Sequence, residues 1–378
     1  MNKNAALLIA AIGVALMAFA GCTKSDTVSI GAIFPLSGTA AYYGNESRDG
    51  ALLALEVINS AGGLLGKKLA MISEDNEGSV AKTVSAFTKL TGKDKVSIIL
   101  GSSTSGPTQA ISALAQRNRV VLITPSATNI NVTQAGDFIF RACFIDSFQG
   151  VVGAHFAYQT LWSRRAAVLY NVDADYNTGL AEAFKTEFGA LGGEVAADET
   201  YQTGDEDFIA QIARIKAANP DIVYLPNYYG DVSLQAKQLR EQGVTCALVG
   251  GDGWDSLIDH AGDEVLNGFW SSGFAPDTTD LRGKAFVQAF QARFNRPASP
   301  FAALGYDAMM LAAAGITAAG TFNSTAVKDA LAQINGAYVT GNIRFDSDRN
   351  PIKSAAILEI VRKDGKLANV YKTTVNPQ

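Results

Sequence analysis

The sequence predicts an α/β fold of two doubly wound parallel-sheet lobes, on three observations. Short apolar, β-rich runs alternate with amphipathic helical stretches from residue 27 onward, the alternation restarts near residue 165, and 378 residues suffice for two cores. Near-continuous Val/Ile/Leu strands imply a sheet covered on both faces. A chain that is 48% hydrophobic and 18% charged, with 36 glycines, is neither disordered nor fibrous. A net charge of -5 without a sustained Lys/Arg run excludes nucleic acid as the expected partner.

The elements follow in order. Val28 to Phe34 reads as a strand, and Tyr43 to Ser60 as a helix stopped by Ala61-Gly62-Gly63. Strands are expected at Leu69 to Ser73, Val96 to Leu100 and Val120 to Ile123, with helices at Val80 to Leu90 and Pro107 to Gln116. The second series has strands at Ala166 to Tyr170, Glu194 to Thr200, Ile222 to Leu225 and Ala247 to Val249. Helices at Gly179 to Leu191, Phe208 to Ala218 and Val232 to Gln242 lie between them. Three further helices (Arg282 to Phe294, Ala302 to Ala319, Ala326 to Ile334) precede strands at Asn342 to Phe345 and Ala355 to Val361. These are too few strands for a third domain, so the last hundred residues should add to both lobes. The expected division is 28–146 plus 275–352 for one lobe and 147–274 plus 353–378 for the other, with crossings near Ile145, Phe274 and Asp346 to Lys353.

Ahead of these elements, Lys3 precedes an apolar run from Ala5 to Ala20 that ends in Phe19-Ala20-Gly21-Cys22. The run is shorter than the roughly 20 residues a membrane span needs and has the shape of a secretory signal. A Cys directly after small residues resembles a bacterial lipobox. Residues 1–21 are therefore read as a lipoprotein signal peptide, Cys22 as the lipidation site and residues 22–27 as a tether, the alternative being an ordinary cleavage site with Cys22 incidental. The expected location is the periplasm or cell surface of a bacterium, and the expected state a monomer. Cys143 and Cys246 are expected to be small apolar residues rather than a disulfide.

Catalytic patterns are missing. His155 and His260 are the only histidines and neither has metal-ligand spacing, so no metal and no cofactor is expected. Gly62 to Lys67 lacks the spacing of a phosphate loop, Ser102 to Gly106 is no nucleophile elbow, and Ser79-Val80-Ala81-Lys82 stands without partner motifs. The chain is not expected to be an enzyme.

Binding chemistry is better represented. Gly101 to Pro107 follows a strand and opens a helix, so hydroxyls and free backbone N–H groups converge at a positive helix end, suited to a carboxylate. Thr124 to Asn129 repeats the arrangement after the next strand. In the second series Asn171 to Tyr176, Asn227 to Gly230 and Gly250 to Trp254 follow strands, where ligands of open parallel sheets sit. Asp252 between glycines suits an ammonium group, or else closes an Asx turn. Tyr43 and Tyr306 would add aromatic walls.

With these residues in order, the chain resembles the type I periplasmic solute-binding proteins, in particular the leucine/isoleucine/valine branch of ABC-transporter receptors. The resemblance runs through Pro35-Leu36-Ser37-Gly38, Asn59 to Gly63, Gly66 to Leu69, Gly101 to Ser105, Pro125 to Asn129, Asp175-Tyr176, Asp207-Phe208, Gln238 to Arg240 and Tyr306-Asp307-Ala308. It implies a Venus-flytrap clamp joined by three hinge strands, which closes on a free amino acid and presents it to a membrane permease. Position by position, it implies that Ser105 and Thr128 hold the α-carboxylate with backbone groups of their loops, Ala127 among them. It gives Ser126 and Asp252 to the ammonium, Tyr176 with Tyr228 or Tyr229 to closure over the ligand, and Tyr43, Ser103 and Tyr306 to the side-chain pocket. A member of that family carries Glu at the position of Asp252 and an apolar residue at that of Ser103, so the pocket is expected to be slightly deeper and more polar. An aromatic amino acid, an amide, urea or an aromatic acid is the alternative ligand, and a sensory ligand-binding module the alternative role.

Overall fold

The computed structural model describes residues 27–376. The signal, lipidation and tether assignments before Thr27, Cys22 included, lie outside the described residues. The chain runs β1 (Thr27–Phe34), α1 (Ala41–Ser60), β2 (Lys68–Asp75), α2 (Val80–Gly92), β3 (Ile98–Gly101), α3 (Ser105–Asn118), β4 (Val121–Thr124), α4 (Asn131–Gln134) and β5 (Ile139–Arg141). The second series is α5 (Asp146–His155), β6 (Arg165–Asn171), α6 (Asp175–Ala190), β7 (Glu194–Tyr201), α7 (Ile209–Ala218), β8 (Ile222–Leu225), α8 (Tyr229–Glu241), β9 (Ala247–Gly250), α9 (Leu257–His260) and β10 (Gly268–Ser272). Then come α10 (Leu281–Phe294), α11 (Pro300–Ala319), α12 (Ser324–Leu331), β11 (Asn335–Tyr338), β12 (Gly341–Arg344), β13 (Ala355–Lys363) and β14 (Lys366–Val375).

The first sheet has the order β2-β1-β3-β4-β5, with every pairing parallel. Its central strands β3 and β4 are buried along their whole length, as expected for strands covered by helices on both faces. The second sheet has the order β14-β13-β10-β9-β8-β6-β7. It is parallel from β10 to β7, as the two-lobed parallel-sheet fold expects, and gains an antiparallel edge in β13, which pairs with β10, and β14, which pairs with β13. β13 and β14 are joined at Asp364-Gly365, both at positive φ (51° and 78°), the backbone a tight hairpin turn requires.

Helices α1 and α11 pack over the first sheet at van der Waals contact of their backbones. A methyl group at Gly50 would lie 1.9 Å from the Ala302 carbonyl oxygen, and one at Gly305 would lie 2.0 Å from that of Ser47. Twenty residues long and apolar enough to span a membrane by composition, α11 has 72% of that stretch buried, as a core helix does. In the second lobe α5 approaches α6 through Gly150, where a Cβ would meet that of Ala183 at 2.5 Å. The two glycines of α5 lower its helix propensity, so it was not expected from periodicity; tertiary contact holds it.

The chain passes from the first sheet to the second at Ala142 to Ile145, returns after β10, and leaves again between β12 and β13. Buried Lys353 in the last passage donates to the Ala142 carbonyl at 3.0 Å and to the Thr340 hydroxyl, tying the first and third passages together. Cys143 and Cys246 are both free.

Candidate functional site

The loops after β3, β4, β8 and β9 meet between the lobes, and the lobes are closed on each other. Tyr43 donates to the Gly253 carbonyl at 2.6 Å and accepts from the Tyr229 amide at 3.3 Å. Asn129 donates to the Asp175 carbonyl at 2.7 Å. Between these contacts lies a narrow cavity lined by Tyr43, Ser103, Thr104, Ser105, Ser126, Tyr176, Tyr228, Asp252, Gly253 and Phe301.

One end of the cavity is rich in donors. Ser105 is the first residue of α3 and Thr104 its N-cap, so the unsatisfied amides of the first helical turn open toward the cavity. The Thr104 hydroxyl is buried without a hydrogen-bond partner. Ser126 donates to the Ser103 carbonyl at 2.8 Å, Ser105 accepts from the Asn129 amide at 3.2 Å, and Ser103 donates to Ser47 at 3.2 Å. Beneath the β4 loop, fully buried Arg141 donates to the carbonyls of Ala127 (2.7 Å) and Asn129 (2.9 Å), which fixes the loop's path.

The other end is a carboxylate. Asp252 is buried, and its Oδ1 accepts from Tyr176 at 3.0 Å and from Gln149 at 3.2 Å. Gln149 is itself held by the Asp252 amide (2.6 Å) and the Ser271 hydroxyl (2.7 Å). Burial pushes the Asp252 carboxyl up to about 6 against these hydrogen bonds, which favour the ionised form. Between the two ends stand aromatic walls. Tyr176 and Tyr228 stack at 4.9 Å, while Tyr43 packs on Phe301 at 4.7 Å and on Tyr228 at 5.4 Å.

Seven of the residues expected from sequence thus share one cavity: Tyr43, Ser103, Ser105, Ser126, Tyr176, Tyr228 and Asp252. Ala127 and Thr128 are buried behind it, with Thr128 beside the Asp146 carboxyl, which burial pushes up to about 8. Two expected residues lie elsewhere. Tyr229 stacks on His260 at 4.6 Å and donates to the Thr39 carbonyl at 3.3 Å, at the rim of the lobe contact. Tyr306 packs edge-on against Phe286 at 5.3 Å, because five residues of helix carry it about 7.5 Å along the axis from Phe301 and onto another face. Thr104, Phe301, Gln149 and Arg141 were not expected. Thr104 lay within the hydroxyl-rich loop, whereas the other three are placed by tertiary packing alone.

The chain matches the family described as periplasmic binding protein over residues 27–366. It is 33% identical to the Leu/Ile/Val-binding protein BraC3 of Rhizobium johnstonii over 328 residues, covering 84% of this chain and 87% of that protein. It is 31% identical to the leucine-, isoleucine-, valine-, threonine- and alanine-binding protein of Pseudomonas aeruginosa, covering 88% and 90%. Among solved structures it resembles the leucine-binding protein LivK of Thermotoga maritima, with TM-score 0.87, 30% identity, and 93% and 99% of the chains covered. It likewise resembles LivJ of Streptococcus pneumoniae in complex with isoleucine, with TM-score 0.85, 35% identity, and 93% and 100% covered. With this match over nearly the whole described chain, and with both sheets in the arrangement of those structures, the chain belongs to the periplasmic binding protein family.

Proposed function

We propose that this chain is the substrate-binding component of an ABC importer, and that it captures a free amino acid with a branched aliphatic side chain between its lobes. The single observation that carries the reading is the polarity of the closed cavity: the N-terminus of α3 with the unpartnered Thr104 hydroxyl at one end, and buried Asp252 at the other. A zwitterion satisfies both ends at once. An acid without an amine would leave the Asp252 carboxyl buried without a counter-charge, at a cost of several kcal/mol when it ionises. Relatives named for leucine, isoleucine and valine support the aliphatic choice.

In this reading Thr104, Ser105 and the first amides of α3 receive the α-carboxylate, Asp252 and Ser126 receive the ammonium, and Tyr43, Tyr228 and Phe301 enclose the side chain. Because the ligand touches both lobes, it binds the closed form better than the open one, and only such a difference can drive closure. The protein is exported, performs no catalysis itself and hands its ligand to a membrane permease.

Isothermal titration of the chain lacking residues 1–22 with leucine, isoleucine, valine, phenylalanine, urea and benzoate tests the reading. Binding of the aliphatic amino acids, weakened at least tenfold by Asp252→Asn, is the expected outcome. Binding of benzoate or urea with no response to the amino acids would overturn it.

A further inference from the structure

The edge of the first sheet where its strands begin is the opposite end of the lobe from the cleft. β1 spans eight residues, so the edge at Thr27 lies about 26 Å from the cleft loops. Six cations lie along this edge. Lys67 and Lys68 open β2, with Lys68 level with Thr27 in the register. Lys93 and Lys95 lie in the turn that leads from α2 into β3, Lys95 at positive φ (56°). Arg117 and Arg119 precede β4.

All but Lys67 are exposed, and among the described residues none of the six forms an ion pair with a carboxylate. The carboxylates on this edge are taken by other cations, Asp137 by Lys328 at 2.7 Å and Asp94 by Lys89 at 3.8 Å. A chain with net charge -5 therefore carries an unneutralised positive strip here. At its end the turn between α1 and β2 presents Leu65, 47% exposed and followed by Gly66 and Lys67.

We propose that this edge rests on a bilayer surface containing anionic phospholipids. Two features point to that occupant. The strip is complementary to an anionic headgroup layer, and Leu65 at its tip suits the boundary with the acyl chains. The described chain also starts on this edge, five residues after Cys22, a tether of at most about 18 Å. The tether argument rests on reading residues 1–22 as a membrane address; the charge argument does not. Seated this way, the protein directs its cleft away from the bilayer, open to solutes. Delivery then requires the first lobe to lift off, and that attachment weakens as salt screens it.

The test is co-sedimentation of the chain from Thr23 onward, which keeps every described element, with phosphatidylcholine vesicles with and without phosphatidylglycerol. Binding is expected only with phosphatidylglycerol, falling at high salt, and at least tenfold weaker for Lys67→Gln/Lys68→Gln/Lys93→Gln/Lys95→Gln. The matched variant Lys237→Gln/Lys284→Gln/Lys363→Gln/Lys366→Gln, which removes exposed cations elsewhere, should bind as the parent does. No preference for phosphatidylglycerol, or equal loss in both variants, would overturn the proposal. Mass spectrometry of Cys22 in the cell-derived protein tests the anchor separately, so failure of the anchor and failure of the surface are distinguishable. Circular dichroism and the melting temperature of each variant show whether it has kept its fold.

Discussion

The phenol of Tyr43 in the first lobe donates to the carbonyl of Gly253 in the second at 2.6 Å, one residue from Asp252. A single hydrogen bond therefore joins the lobe contact to the charged end of the cavity. Tyr43→Phe removes that bond and the acceptor for the Tyr229 amide while leaving the ring against Phe301. A bond of this kind contributes about 1 kcal/mol, so ligand affinity should fall about fivefold by titration calorimetry. Thermal stability without ligand should change little, because each lobe keeps its own core.

Asp252→Asn keeps the shape of the side chain but removes its charge. If an ammonium ion sits there, affinity for the preferred amino acid should fall by about two orders of magnitude or more, and the parent's preference over an amine-free analogue of the same side chain should shrink to a few-fold. Equal affinity of variant and parent in a competition assay would mean that the amine sits elsewhere.

The pH dependence follows from the same carboxyl. Its folded-state value is raised to about 6 by burial, so without ligand the folded protein holds a proton on Asp252 that the unfolded chain has lost by then. The stability of the ligand-free protein from this group is full below the ordinary carboxylate range near 4 and is lost as pH rises through about 6. Binding runs the other way, because an ammonium partner needs the ionised form. Affinity should fall up to about tenfold per unit as pH drops below 6, with proton release visible as buffer-dependent heat. Asp252→Asn should flatten both profiles.

The crossing of α1 and α11 permits no side chain at Gly50. Gly50→Ala would drive a methyl into the Ala302 carbonyl and should lower the melting temperature by several degrees, through helix displacement costing about 1–3 kcal/mol or more. Gly189→Ala, near the end of α6 with open space around its Cα, should leave the melting temperature unchanged or raise it slightly. Scanning calorimetry of the two variants makes the comparison.

The strands that carry the cleft loops were legible because a fully buried parallel strand needs an unbroken apolar run, as in Ile98 to Leu100 and Val121 to Ile123. The placement of Ser105 and Asp252 at the cavity was legible because both lie in segments that follow such strands. β10 was not, since Gly268-Phe269-Trp270-Ser271-Ser272 has neither alternation nor a β-branched run and becomes a strand through its neighbours β9 and β13. β14 also escaped notice, a polar edge strand whose alternation is interrupted by a register shift in its pairing with β13. Phe301 and Tyr306 show the limit of placing side chains from sequence. Both sit on α11, and only the path of that helix against α1 decides which of them reaches the cavity.

Each sheet also takes strands or covering helices from segments far apart in the chain. The first half gains α11 and α12 from residues 300–331, and the second gains β13 and β14 from the last twenty or so residues. On a ribosome or in an export channel, which pass the chain N-terminus first, neither half can complete its core until almost the whole polypeptide has emerged. Premature folding is therefore held back by the connectivity itself, and loss of the last two strands should cripple the second half while leaving the first intact.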